Sequence, residues 1–292
     1  MGGPRKMQSR QRIALTGARG RLAPGLSAHL VGAGHDVVLF SREAAGPYRD
    51  LEELRKPDVL ASFDAVLHLG WSTVPLVSEE KPGTEEKEDL PFARDLIAAA
   101  AHCPPPPRIV FFSTAAVYGD TGDKAATEET PCAPLGRYAA AKLQAEEIFA
   151  SCDNACVLRI TNVFGAGCPL TRPQGIIPVL LRAARSGEKV HIWGDGSAVK
   201  DYLAAPDLHQ AVQSVLSPDL SGVFNVSSGC SLSVNELVSL VEGSCGRKIE
   251  REYRPHYPWD VSMAEVSSAK LHDTTGWKAA ISPREFVRQI AD

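Results

Sequence analysis

The sequence contains no apolar run approaching the ~18 residues that a membrane span needs. None stands behind the basic start MGGPRKMQSRQR either, so that start does not read as a secretory signal. Residues 1–10 read instead as a disordered leader, with Met7 as a second candidate start. Lys6 stands where a myristoylation site wants Ser or Thr. A basic excess is missing as well: Lys and Arg number 31 against 35 Asp and Glu, for a net charge of -4. The chain therefore lacks the positive face that a nucleic-acid binder presents, and neither nucleic acid nor membrane is expected as a partner. There is no CxxC pair. The seven cysteines (Cys103, Cys132, Cys152, Cys156, Cys168, Cys230 and Cys245) are odd in number and irregularly spaced. This argues against a disulfide framework and against a zinc site, and for reduced thiols in a cytoplasmic protein with no metal. No internal repeat occurs, and the one low-complexity tract is the proline run Pro104 to Pro107.

What is present is an ordinary globular composition, 44% hydrophobic and 23% charged over 292 residues, enough for a large α/β unit with a smaller lobe. Short β-rich runs alternate with helical patterns through the first half. Arg12–Thr16, Asp36–Phe40, Ala65–Leu69, Arg108–Ser113 and Cys156–Ile160 read as strands, with helices to about Val31, over Glu85–Ala101 and over Tyr138–Ala150. The prolines end the second of these helices. This order predicts βαβ units and a parallel, doubly wound α/β sheet, a Rossmann fold. After about Gly165 the elements shorten: a helix over Ile176–Ser186, an extended Val190–Trp193, a helix over Pro206–Leu216 and a strand Val223–Val226 returning to the core. Ser233 and Glu236 form a capping box for a helix to Cys245. The expected division is a dinucleotide-binding domain over 11–165 with 206–228 returning to it, and a C-terminal substrate-binding lobe from 166–205 and 229–292.

At the first βα junction stands Thr16-Gly-Ala-Arg-Gly-Arg-Leu-Ala23. Gly17 and Gly20 suit a tight turn that lets a pyrophosphate approach the backbone, and the following helix offers its amides to that anion. Arg19, Arg21 and Leu22 fall in the same turn. An acidic residue after the second strand would bond the ribose hydroxyls of NAD, and an Arg there suits the 2′-phosphate of NADP. Here the run is Phe40-Ser41-Arg42, with no acid until Glu43, so Ser41 and Arg42 point toward NADP.

Tyr138 and Lys142 are four apart in Tyr-Ala-Ala-Ala-Lys, hence on one helix face. The ammonium is expected to favour the phenolate, making Tyr138 a base near neutral pH. Ser113-Thr114-Ala-Ala-Val-Tyr-Gly119 closes a buried strand at the sheet edge where ligands bind, 24 residues upstream of Tyr138.

TGARGRLA, HLGW, STAAVYG, YAAAK and RITNVFG, in this order, resemble the extended short-chain dehydrogenase/reductases, the family of nucleotide-sugar epimerases, dehydratases and reductases. The resemblance runs over about residues 11 to 290. It implies NAD or NADP as cofactor and a nucleotide-sugar substrate. By the resemblance, Tyr138 is the general acid/base, Lys142 lowers its pKa and holds the nicotinamide ribose, and Thr114 bonds the reacting sugar oxygen. Leu69, Gly70 and Trp71, with His68 before them, line the cofactor, as does Ser113. Asn162 lies near the diphosphate, and Lys200 stands where an Arg usually meets it, without that residue's bidentate fork. Arg254 is the nearest candidate for a second such Arg, in a Pro-rich stretch with His256 and Trp259. Family members often pair as homodimers through two helices of the cofactor domain. Related 4,6-dehydratases carry Asp-Glu directly after the catalytic Thr; here Ala115 and Ala116 stand there, which disfavours that chemistry and the related decarboxylation. The preferred reading is an NAD(P)-dependent 4-epimerase acting by transient oxidation at C4. An NADPH-dependent 4-ketoreductase is the alternative, and a non-catalytic dinucleotide sensor a third.

Overall fold

The computed structural model describes residues 9–165, 175–217 and 220–291; residues 1–8 of the expected leader, and Cys168, lie outside the described residues. In chain order the strands are β1 (Arg12–Thr16), β2 (Asp36–Ser41), β3 (Tyr48–Asp50), β4 (Ala65–His68), β5 (Arg108–Thr114), β6 (Ala155–Ile160), β7 (Asn162–Phe164), β8 (Val190–Trp193), β9 (Val199–Ala204), β10 (Gly222–Val226), β11 (Ser231–Ser233), β12 (Arg251–Arg254) and β13 (Met263–Ala264). Seven of them form one parallel sheet in the order β10-β6-β5-β4-β1-β2-β3. This is the doubly wound arrangement expected from the sequence, and β10 joins it as the returning strand.

Alternation along the strands builds two cores. Ile13, Leu15, Leu67, Val110 and Leu158 face one side and pack with Leu26, Leu30, Leu208, Val212 and Trp277. Ala14, Val66, Phe111 and Val157 face the other, against Leu54, Leu90, Leu96 and Phe149. Central strands buried on both faces are the mark of a parallel sheet covered by helices on each side. A third cluster gathers Leu180, Leu181, Ile192, Tyr202, Leu237 and Val241 around the smaller sheets. There β9 pairs with β11, β13 and β7, while β12 pairs with β8. The capping box at Ser233 forms: Glu236 N donates to the hydroxyl at 3.1 Å and Ser233 N to Glu236 Oε2 at 2.8 Å. Among the described residues no helix is long and apolar enough to cross a membrane.

Two expectations need correction. The helix over 85–101 is two helices, Thr84–Lys87 and Asp89–Ala100, meeting at Glu88. Pro91 has no amide to give the Lys87 carbonyl and its ring crowds that carbonyl, so the chain restarts with the proline in the first turn. The sequence pattern also does not predict β3, nor the strands of the smaller sheets other than β8. β3 has three residues, too few for alternation to show; β9 is extended because it has partners on both sides.

The helix Arg137–Ala150 is fixed to the sheet by a buried polar network. Glu146 takes a fork from Arg159 on β6, Nη2 at 2.7 Å and Nε at 3.0 Å, and the hydroxyl of Ser113 on β5. Arg159 Nη1 donates to Tyr118 Oη at 2.9 Å, and Tyr118 donates to Asn225 Oδ1 on β10 at 2.7 Å. The side chains of Arg159 and Glu146 are 8% and 5% exposed, so each charge depends on the other. Removing one partner of a buried pair costs more than replacing both. Arg159→Met is expected to lose about 3–5 kcal/mol of unfolding free energy, and the double variant Glu146→Leu/Arg159→Met less than that, both measured by chemical denaturation.

Candidate active site

Strand order reverses at β1, which has β2 on one side and β4 on the other. The crevice above such a reversal is where open α/β sheets bind ligands. The glycine turn sits in it. Gly17 has φ +67°, and a Cβ there would stand 2.7 Å from the amide nitrogen of Gly70. Only glycine permits both that conformation and that approach. Gly20 N closes the turn on Gly17 O at 2.7 Å. Thr16 Oγ1 accepts from Gly70 N at 3.1 Å and meets His68 Nδ1 at 2.8 Å, so one hydroxyl joins the loops after β1 and β4. His68 is therefore a buried brace; burial, helped by Lys142, takes its pKa down to about 3.

The helix Ala23–Gly32 starts beside this turn with neither a side-chain cap nor an acidic residue in its first turn. Its free amides and positive end suit an anion. Arg21 and Leu22 are half-buried here. Leu69 packs against the core, and Trp71 Nε1 is buried without a hydrogen-bond partner among the described residues. A cradle that a Cβ would fill, an open helix start and an orphaned indole N–H together fit a dinucleotide. At the far end of the crevice Arg19 lies 4.7 Å over the ring of Tyr48 and donates to Glu43 O at 3.2 Å. Arg42 is bonded to Glu88 and, at 3.1 Å, to Ser72 Oγ. Ser41 is buried, and its hydroxyl accepts from Glu43 N at 3.3 Å.

Lys142 is buried, and its Nζ donates to Phe112 O at 2.8 Å. It stands 3.9 Å from the centre of the Trp71 ring and 5.9 Å from that of Tyr138. The helix runs back along β5, so Tyr138, one turn N-terminal of Lys142, lies toward the strand end that carries Thr114. Thr114 Oγ1 accepts from Ala116 N at 3.2 Å, which leaves its proton to donate. Ser113, expected on the cofactor, instead gives its hydroxyl to Glu146. The electrostatics also differ from expectation. Burial, reinforced by the carboxylates of Asp89 and Glu85, pushes the Tyr138 phenol above the usual tyrosine range. Burial brings Lys142 down to about 7 against the pull of Asp89 and Glu146. Asp89 accepts Ser72 N at 3.0 Å and Ser72 Oγ at 2.9 Å, and burial raises it to about 6.

A separate cleft of about 260 Å³ opens between the smaller sheets, lined among others by Asn162, His191, Trp193, Lys200, Tyr202 and Asp260. Asn162 Nδ2 bonds Asp201 O at 3.0 Å, and Lys200 is paired with Asp260. Arg254 is not among the lining residues; it sits at the rim, bonded to His191 Nε2 at 2.9 Å and 5.5 Å over Trp193. Among the described residues no cluster of His, Cys, Asp or Glu could hold a metal ion.

Sequence reasoning missed Glu85, Glu88, Asp89 and Asp260. The acidic run Glu85-Glu-Lys-Glu-Asp89 reads as a solvated helix face, and its one available signal was Pro91, which marks Asp89 as a first-turn residue.

The chain matches the NAD dependent epimerase/dehydratase family over residues 13–227. It is 29% identical to a UDP-glucose 4-epimerase of Corynebacterium glutamicum, with 91% of this chain and 90% of that protein aligned. MoeE5, solved with UDP-glucuronic acid and NAD, superposes with a TM-score of 0.86 at 27% identity, covering 94% of this chain and 96% of that one. The fold is shared with the Thermus thermophilus UDP-glucose 4-epimerase, at a TM-score of 0.85, 24% identity and coverage of 96% and 98%. By sequence and by structure, the chain belongs to the NAD-dependent epimerase/dehydratase family of extended short-chain dehydrogenase/reductases.

Proposed function

We propose that the chain is a nucleotide-sugar 4-epimerase that oxidises and re-reduces C4 of the sugar with a retained dinucleotide. The observation that carries this reading is Lys142, tied to the strand of Thr114 at Phe112 O and set against Trp71 next to the Gly17–Gly70 cradle, with Tyr138 one turn away on the same helix face. The UDP-glucose 4-epimerases among its relatives support it. So does the absence of acids next to Thr114: Ala115 and Ala116 can move no proton for water elimination.

A nicotinamide dinucleotide, when bound, supplies the acceptor and then the donor of the C4 hydride. Gly17, Gly20 and the start of the Ala23–Gly32 helix would hold its pyrophosphate, and Lys142 its nicotinamide ribose. Tyr138 in its phenolate form would take the C4 hydroxyl proton as that carbon becomes a ketone and return it when C4 is reduced on the opposite face; burial, Asp89 and Glu85 oppose that form, so the step is favoured by rising pH. Thr114 donates to the same oxygen and orients it. The cleft with Asn162 and Lys200 would take the nucleotide diphosphate. Six free cysteines among the described residues support a reducing, cytoplasmic setting. A homodimer would pair through helices Asp89–Ala100 and Arg137–Ala150, whose groove sets Ile97 and Ile148 among Arg94, Gln144 and Glu147.

Denaturing the purified chain is expected to release NAD, identified by mass spectrometry. Tyr138→Phe is expected to lower UDP-hexose 4-epimerisation at least ~10²-fold while leaving that dinucleotide in place. An undiminished rate would remove Tyr138 from the chemistry.

Asp89 gives a pH test. Its negative charge opposes ionisation of Tyr138, so Asp89→Asn is expected to move the acid limb of kcat/KM to lower pH. Its own raised pKa means that the folded state binds the proton more tightly, so Asp89 costs stability as pH rises from about 4 through 6. The Tm of the Asn variant should therefore gain on the wild type across that interval, as followed by thermal unfolding.

A further inference from the structure

The link from Arg42 to Glu88 and Ser72 crosses the cofactor crevice. Arg42 follows β2 and Ser72 follows β4, while β1 with its glycine turn lies between them. Neighbouring strands are ~4.8 Å apart, so the link bridges roughly 10 Å over the carboxyl end of β1. Its parts are a guanidinium bonded to Glu88 Oε2 and to Ser72 Oγ, with Ser72 Oγ 2.8 Å from Glu88 Oε2, its one proton shared between Glu88 and Asp89. The chain has no carboxylate at the end of β2, where one would meet the adenosine ribose. Glu88 brings a carboxylate to that end from the other side of the crevice.

We propose that Glu88, acting through Arg42, makes the site select the dinucleotide with a free ribose 2′-hydroxyl over its 2′-phosphorylated counterpart. The inference rests on the reading that the crevice holds a nicotinamide dinucleotide. Hydroxyls can donate to Glu88, whereas a 2′-phosphate meets its charge with Arg42 already engaged. Arg19 is matched by Glu43, and Asp89, bonded to Ser72 beside Glu88, adds a further carboxylate. The pair is half-exposed, with side chains 61% and 48% accessible, so its effect is graded and removable without unfolding the chain. Arg42 alone, read from the sequence, points the opposite way; its partner reverses the sign.

The test is direct binding of NAD and NADP to the full chain freed of nucleotide, by isothermal titration calorimetry with thermal shift as a second readout. The wild type is expected to bind NAD more tightly. In Glu88→Gln the NADP affinity is expected to rise about tenfold, the size of effect that one freed charge supplies at a partly solvated site, with NAD affinity held within about threefold. Glu88→Gln/Arg42→Gln should lose that gain, because the freed guanidinium delivers it. A wild type that binds NADP as tightly as NAD, or a Glu88→Gln variant that shifts both dinucleotides equally, overturns the proposal while leaving the cofactor assignment standing. Binding of neither overturns both.

Discussion

The bond from Lys142 Nζ to the carbonyl of Phe112 is the constraint on which the rest of the site depends. It joins the helix Arg137–Ala150 to β5 two residues before Thr114, so the helix of Tyr138 and the strand of Thr114 share one register. One turn further along the same face, Glu146 makes a second attachment to β5 through Ser113 and one to β6 through Arg159. A single helix face thus carries Tyr138, Lys142 and the buried anchor Glu146 in successive turns. The cost of burying Glu146 and Arg159 is offset by filling their hydrogen-bonding capacity from three strands, which a half-satisfied network could not do.

Carboxylates gather on the opposite side of the crevice. Asp89 holds the loop after β4 by its backbone and hydroxyl at Ser72, and Glu85 holds the next residue by the hydroxyl of Thr73. Both braces stabilise the loop that carries Gly70 and Trp71, and both set negative charge near Tyr138. The same residues therefore hold the loop after β4 and oppose ionisation of the phenol. Lys142, at 3.9 Å from the Trp71 ring, stands between the two groups of acids and is the cation they share.

The cleft among the smaller sheets is built differently. The cleft at Asn162 and Lys200 has walls from short strands that pair across long sequence separations, β7 with β9 and β8 with β12. Its one lysine is matched by Asp260, and Arg254 is turned to its rim by His191 and Trp193. Trp193, Tyr257 and Trp259 stack in series, with ring centres 4.2 and 4.6 Å apart. A Cβ on Gly136 would lie 3.0 Å from Trp259 Cβ, so the row of rings ends against the N-terminus of the Tyr138 helix. Trp259 thereby packs against the start of the Tyr138 helix.

The sequence by itself determined the doubly wound sheet, because strands buried on both faces and amphipathic helices carry periods that are local properties of the chain. It determined the glycine turn and the Tyr138–Lys142 pair for the same reason: residues one to four apart have their relative placement set by backbone geometry. It could not determine which charges offset one another. Arg42 and Glu88, 46 residues apart, meet only because β2 and β4 flank β1. Ser113 carried a cofactor motif, yet its hydroxyl turns to Glu146 because the helix brings a buried carboxylate within reach. Tyr138 was legible as a phenol beside an ammonium, but its acidity follows from burial and from Asp89 and Glu85. Desolvation and long-range charge are properties of the packed molecule, and only the tertiary structure decided them.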